Sequence, residues 1–236
     1  MSFGPLQADL GILTRLRQIP FLSCCDTATF QKYDEPIRSE AMTAYFTKIL
    51  DHYAPLDQRP RVLDVTYGVG KFYLFAKQYM GELWGVDVRR WTWRVKPDKF
   101  ILGQIQDVWP QLPEQYFDIM VADPPYPVES TFMEARARAY RYLYFNSRDY
   151  VSIINCLPNV AKHAVKKRGY VIVKCMDVHC EGELVWEHSH AYIMDVMRNA
   201  GIRPVDVLVW RCIMRWRVMH GGRNKVHTYY LVFRRP

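Results

Sequence analysis

From Arg61 onward the sequence alternates short apolar runs with stretches of helical periodicity, and this alternation restricts the fold more than any other feature. Arg61 to Thr66, Glu82 to Asp87, Lys99 to Leu102, Asp118 to Ala122 and Gly169 to Met176 each read as a strand. Between them, helices are expected through Phe72, Leu74 and Phe75, within Gln106 to Leu112, from about Ser147 to Lys167 with an irregularity near Pro158, and from Glu187 to Asn199, the last closed by Gly201. A further helix opens at Pro36 and runs to about Tyr53, with Ile37, Met42, Tyr45, Phe46 and Leu50 on one face. Strands that alternate with helices form a parallel sheet covered on both faces. Val205 to Trp216 and Val226 to Arg234 follow each other through Gly221-Gly222 and imply an antiparallel hairpin. The expected fold is α/β: a doubly wound, mostly parallel sheet of seven strands with a C-terminal antiparallel hairpin. Residues 1–35 read as an N-terminal extension, and 36–236 as one domain without an insertion large enough for a second.

Half of the 236 residues are hydrophobic, enough for a core without disulfides or a structural metal. No apolar run approaches the roughly 20 residues of a membrane span. Met1 to Leu10 lacks the basic start and apolar stretch of a secretory leader, so a soluble, cytoplasmic protein with no membrane partner is expected. Cys24, Cys25, Cys156, Cys175, Cys180 and Cys212 follow no regular framework and read as reduced thiols. Cys175, His179 and Cys180 have no second ligand pair at zinc spacing, so no metal is expected. The formal net charge is +8, and Gly201 to Pro236 carries eight Arg and Lys against one acid, Asp206. Such a surface suits a polyanion, because each neutralised phosphate releases counterion; on charge alone a solvated face is an equal alternative.

Asp64-Val65-Thr66-Tyr67-Gly68-Val69-Gly70 leaves the first expected strand. Glycines there permit a tight turn and close approach of a ligand. Asp87 ends the second strand, where a carboxylate can accept both hydroxyls of a ribose. Together they suit a nucleoside-containing cofactor. A nicotinamide dinucleotide is the competing ligand, but its fingerprint needs a third glycine where this chain has Tyr73. Adenosylmethionine carries no pyrophosphate and does not require that glycine.

Asp118-Ile119-Met120-Val121-Ala122 runs into Asp123-Pro124-Pro125-Tyr126. The two prolines have fixed φ and no N–H, so the chain leaves the sheet in a rigid turn. Asp123 and the Pro124 carbonyl can accept hydrogen bonds from a planar amine, and Tyr126 offers a face on which a base can stack. An exocyclic base nitrogen is a poor nucleophile because its lone pair is delocalised into the ring. Two acceptors orient it and raise its electron density, while in-line placement against a reactive sulfonium methyl supplies much of the rate. Asp123 is also placed to take the released proton.

Asp64 to Gly70, Asp87 and Asp123-Pro124-Pro125-Tyr126 together resemble the S-adenosylmethionine-dependent amino-methyltransferases that act on adenine N6 or cytosine N4 in DNA. The likeness spans roughly Thr27 to Arg235, and it implies a Rossmann-like fold, S-adenosyl-L-methionine as cofactor, and nucleic acid, DNA before RNA, as partner. It implies further that Thr29 and Gln31, with Asp64, Thr66, Gly68, Gly70, Asp87 and Gln104, surround the cofactor, and that the base stacks near Tyr126. Val171, Lys174 and Asp177, and Lys225 to Phe233, also look like that family's later strands. The chain departs from the family where Asp-Pro-Phe commonly precedes the glycines, having Asp64-Val65-Thr66-Tyr67. Gln104 or Asp107 replaces the expected acid of the third strand.

Without a separate recognition domain, the base must be read by the Pro127 to Ser147 connection and the terminal hairpin. Arg136, Arg138, Arg223 and Lys225 are expected to line the way to the pocket, contacting phosphate while neighbouring tyrosines stack. A solvated helix is the plainer reading of that arginine- and tyrosine-rich stretch. An RNA base amino-methyltransferase and a catalytically silent nucleic-acid-binding relative remain open as alternatives. Carbon-5 cytosine methylation is not expected, since the chain has no Pro-Cys pair to supply the nucleophile.

Overall fold

The computed structural model of the chain describes residues 37–124, 147–177, 188–211 and 227–236. Its elements are α1 (Ile37–Tyr53), β1 (Arg61–Asp64), β2 (Glu82–Asp87), β3 (Lys99–Leu102), α2 (Ile105–Val108), β4 (Phe117–Ala122), α3 (Ser147–Ala164), β5 (Val165–Met176), α4 (Ser189–Asn199), β6 (Arg203–Arg211) and β7 (His227–Arg234). They build one seven-stranded sheet in the order β3-β2-β1-β4-β5-β7-β6. β1 to β5 run parallel to one another, and β7 is antiparallel to both β5 and β6. This is the expected doubly wound sheet with its hairpin, and the last strand is slotted inside the edge strand β6.

Alternation along the strands divides the core in two. Val62, Leu83, Ile119, Val121, Ile172, Tyr230 and Val232 face α1, where Tyr45, Phe46, Ile49 and Leu50 meet them. Leu63, Val86, Met120, Ala122, Val171, Val173, Leu231 and Phe233 face α3 and α4, meeting Tyr150, Ile154, Leu157, Ile193 and Met197. Truncating a wholly buried member such as Phe46 to alanine is worth roughly 3–5 kcal/mol. Among the described residues no helix is long and apolar enough to cross a membrane, and no cluster of His, Cys, Asp or Glu could hold a metal.

One expected helix is absent. The segment after Gly70 forms two 3-10 turns, Lys71–Tyr73 and Lys77–Tyr79, and no α-helix through Phe72, Leu74 and Phe75. Tyr73 explains this: its ring is wholly buried and its hydroxyl donates to Asp64 at 2.7 Å, which draws the chain inward. Aromatic residues also lose rotamer freedom in a helix, and β2 begins at Glu82, leaving little length for one. By contrast α3 runs through Pro158 without interruption, and β5 follows it directly from Val165, earlier than Gly169.

Candidate active site

β1 and β4 are neighbours, with Val62 opposite Ile119 and Asp64 opposite Val121. The sheet continues from β1 to β2 and β3 on one side and from β4 to β5 on the other, so the strand order reverses between them. Ligands in such sheets bind beyond the carboxyl ends of the strands at that reversal. The glycine bend leaves β1 there, and the acid-proline turn leaves β4 beside it.

Asp64 closes β1 with its side chain only 1 % exposed. One oxygen accepts from the Thr66 N–H at 2.8 Å and the other from the Tyr73 hydroxyl at 2.7 Å. Burial pushes this carboxyl up to about 7; the hydrogen bonds from Tyr73 and Thr66 oppose the rise, and the charges of Asp123 and Asp87 add to it. Asp64 therefore shapes the bend from within. The Thr66 hydroxyl meanwhile accepts from the Asp123 N–H at 2.7 Å, tying the bend to the turn that follows β4.

Gly68 and Gly70 have φ of +56° and +73°, a region that side-chain-bearing residues rarely adopt. Their surroundings differ. A Cβ at Gly70 would lie 2.5 Å from the Val95 carbonyl oxygen and 2.7 Å from the Tyr67 hydroxyl, whereas one at Gly68 would meet no atom within 4 Å. Tyr67 is buried, stacks 5.6 Å from Tyr73, and donates to the Val95 carbonyl at 2.8 Å. Gly70 thus accommodates packing, and Gly68 leaves backbone open to approach.

Asp87, at the end of β2, accepts from the Gly68 N–H at 2.8 Å through one oxygen, and from the Arg89 N–H and Trp91 Nε1 at 3.0 and 3.1 Å through the other. It fixes the bend against the loop that follows β2. Gln104 lies exposed just beyond β3, next to Gly103, whose N–H bonds the Asp87 carbonyl at 2.9 Å. Asp64, Thr66, Gly68, Gly70, Asp87 and Asp123 are therefore gathered at one end of the sheet, with Gln104 one strand farther out and Pro124 buried beside Asp123. Thr29, Gln31, Pro125, Tyr126, Arg136, Arg138, Arg223 and Lys225 lie outside the described residues.

Lys174 is the partner that sequence reasoning left without a role. From β5 its ammonium donates to both oxygens of Asp123 at 2.9 Å; the lysine side chain is 8 % exposed and the aspartate 22 %. Phe72 lies beneath the ammonium, 5.3 Å from ring centroid to nitrogen. The signal was present in the sequence: a single cation in the apolar run from Val171 to Cys175 must find a counter-charge when buried. Tyr230, opposite Lys174 in the β5–β7 register, is wholly buried, and its hydroxyl has no hydrogen-bond partner among the described residues.

A second polar cluster sits on the other face of the same edge. Asp177, 3 % exposed, meets the His190 Nδ1 at 2.8 Å from each oxygen, and the imidazole stacks on Tyr229 at 4.7 Å. Nearby the Tyr150 hydroxyl and Ser189 Oγ lie 3.0 Å apart, both buried. Burial raises the Tyr229 hydroxyl above its ordinary range, and Asp177 adds to the rise.

Two solved structures share this architecture. The N-methyltransferase NodS from Bradyrhizobium japonicum WM9 aligns with a TM-score of 0.51 at 13 % identity, over 86 % of this chain and 98 % of that one. A SAM-dependent methyltransferase from Archaeoglobus fulgidus aligns with a TM-score of 0.50 at 14 % identity, over 84 % of this chain and 94 % of that one. The chain has a methyltransferase fold. No family model matches it, and no curated protein matches its sequence.

Proposed function

We propose that this chain is an S-adenosyl-L-methionine-dependent methyltransferase that methylates an exocyclic amino group of a nucleic-acid base, adenine N6 or cytosine N4 in DNA. The reading is carried by the bond from the Asp123 N–H to the Thr66 hydroxyl, 2.7 Å long, which joins the glycine bend to the acid-proline turn at the reversal of strand order. The residues present fit the methyl donor. Gly68 offers backbone that a ligand can approach, Asp87 offers a carboxylate at the end of β2, and Tyr73 fills the place where a pyrophosphate-binding fingerprint needs glycine. Gly68 and Asp87 would hold the donor, with Thr29 and Gln31 from the N-terminal segment; bound there, it supplies an electrophilic methyl group.

The chain's own contribution is to place and polarise the amine. Asp123 and the Pro124 carbonyl accept its N–H groups, which draws the nitrogen lone pair out of conjugation and aims it along one line. Lys174 holds the Asp123 carboxylate by both oxygens, so the acceptor is oriented before substrate arrives. Asp123 also offers an acceptor for the proton that the amine must release. A base in duplex must be turned out of the stack to reach this turn, and Arg136, Arg138, Arg223 and Lys225 serve in this reading as cations lining its route.

The test is incubation with a labelled methyl donor and separate DNA and RNA pools, followed by mass spectrometry of the nucleosides. Label in N6-methyladenine or N4-methylcytosine from DNA is expected. Label confined to the RNA pool would transfer the reading to an RNA base amine, and absence of label from both would end it. Asp123→Ala would leave Lys174 buried without its counter-charge, so Asp123→Asn is the cleaner variant: it keeps an acceptor for the lysine and removes the charge. Turnover falling at least a hundredfold is expected in protein that still folds at the assay temperature, with a lowered thermal transition because the buried Lys174 ammonium keeps an acceptor but loses this carboxylate's charge; full turnover in Asp123→Asn would remove the carboxylate from the mechanism.

A further inference from the structure

The loop between β2 and β3, residues 88–98, reads Val-Arg-Arg-Trp-Thr-Trp-Arg-Val-Lys-Pro-Asp. Arg89, Arg90, Arg94 and Lys96 are exposed, and Lys71, half-buried in the first turn after Gly70, stands close enough to Arg94 for the two charges to repel. Burial first, and Arg94 second, lower the affinity of the Lys71 ammonium for its proton. Among the described residues no carboxylate pairs with Lys71, Arg90, Arg94 or Lys96. The two acids at the loop's ends are engaged elsewhere. Asp87 accepts from Gly68, Arg89 N–H and Trp91, while Asp98 bonds Lys77 at 2.7 and 2.9 Å and the Leu83 N–H at 2.7 Å.

This loop is also firmly held. The Arg94 N–H donates to the Val69 carbonyl at 2.9 Å, the Tyr67 hydroxyl to the Val95 carbonyl at 2.8 Å, and the Asp98 N–H to the Leu83 carbonyl at 2.8 Å. Trp93 packs against Phe100 at 5.2 Å, and Pro97 is buried. Four cations, Lys71, Arg90, Arg94 and Lys96, are thus collected on a fixed scaffold with no carboxylate partner among the described residues, directly beside the glycine bend. Gathering like charges in this way is unfavourable in the free protein and is relieved by a polyanion; a scaffold already rigid also loses little entropy when the polyanion binds.

We infer that Lys71, Arg90, Arg94 and Lys96 form a phosphate-binding face for the nucleic-acid substrate, distinct from the Arg136, Arg138, Arg223 and Lys225 group. The inference rests on the proposed nucleic-acid reading, and it assigns part of the affinity to the β2–β3 side of the site. Contacts of this kind position the strand and carry no base information.

The experiment compares wild type with Arg90→Gln/Arg94→Gln/Lys96→Gln and with a control of equal charge loss, Lys162→Gln/Lys167→Gln/Arg203→Gln. The three control residues are exposed near the opposite, amino-terminal edge of the sheet. Binding of a labelled DNA duplex is titrated at several salt concentrations, and methyl-donor affinity is measured by calorimetry on the same proteins. For the loop variant the slope of log affinity against log salt is expected to fall by about 2 to 3, with donor affinity unchanged, while the control keeps the wild-type slope. Equal slopes for wild type and loop variant would overturn the inference, as would equal losses in loop variant and control. Weakened donor binding with intact DNA binding would assign these cations to the donor, which overturns it too. A wild type that binds no nucleic acid at any salt concentration would instead overturn the functional reading on which the inference rests.

Discussion

Asp64→Asn tests whether the centre of the glycine bend stores a protonation penalty. The Asp64 carboxyl is 1 % exposed, and burial outweighs its bonds from Tyr73 and Thr66, pushing it from 3.8 up to about 7. Because the folded pKa is the higher one, the folded chain binds a proton more tightly than the unfolded chain between those values. Stability from this group is therefore fully present below the unfolded pKa and is lost as pH rises through the folded one, then stays constant above it. The whole step is worth about 4 kcal/mol, of which roughly 2 kcal/mol falls between pH 5 and pH 7. Asparagine does not titrate, yet its carbonyl can still accept from the Thr66 N–H and its amide can donate to the Tyr73 oxygen. Urea unfolding of both proteins at pH 5, 6, 7 and 8 reads the difference directly. The variant is expected to gain on wild type by about 2 kcal/mol from pH 5 to pH 7 and by little more at pH 8. A difference that stays level across the series would refute the argument that burial dominates at Asp64.

Other perturbations separate packing from chemistry. Thr66→Val removes the acceptor for the Asp123 N–H and is expected to destabilise by about 1–3 kcal/mol in urea unfolding, with Thr66→Ser recovering most of the loss. Lys174→Met leaves Asp123 without its ammonium and is expected to lose about 3 kcal/mol, the low end for breaking a buried pair because the aspartate is 22 % exposed; Asp123→Asn added to it should restore stability, read as thermal transitions. Gly70→Ala, whose Cβ would lie 2.5 Å from a backbone oxygen, is expected to be far more destabilising than Gly68→Ala, where only the left-handed backbone costs about 1–2 kcal/mol; equal losses on thermal melting would contradict the distinction.

Some of this architecture is legible in the chain and some depends on contacts across it. β2 and β3 occupy the residues the sequence predicts, because each is a short apolar run bounded by glycine or proline: Gly81 before Glu82, and Pro97-Asp98 before Lys99. Gathering of the glycine bend and the acid-proline turn at one end of the sheet follows from a topological rule, since both leave parallel strands at their carboxyl ends. The missing helix after Gly70 is a failure of periodicity: Phe72, Leu74 and Phe75 mimic a helical face, but the Tyr73 hydroxyl is claimed by Asp64 across the bend. Placement of β7 between β5 and β6 was also hidden, because hydrophobic alternation gives the faces of a strand and not its neighbours. Lys174 and Asp123 meet from positions 51 residues apart, and only the β4–β5 register brings them opposite each other.

The residues of the bend depend on one another. In Asp64-Val65-Thr66 the last residue sets its hydroxyl 2.7 Å from the Asp123 N–H. The contact between the bend and the end of β4 is thus a directional one. Aromatic volume at the bend comes from two tyrosines: Tyr67 fills the space over Gly85, where a Cβ would lie 2.5 Å from its ring, and Tyr73 stacks on Tyr67. This packing requires two glycines, since a Cβ at Gly70 or at Gly85 would meet Tyr67. The bend is therefore a coupled set, in which Thr66 sets the distance to Asp123 while Tyr67, Tyr73 and the two glycines set its shape. Single substitutions in it should be damaging: Val65→Pro would lose the Val65 N–H bond to the Val121 carbonyl, and Thr66→Phe would lose the acceptor for the Asp123 N–H.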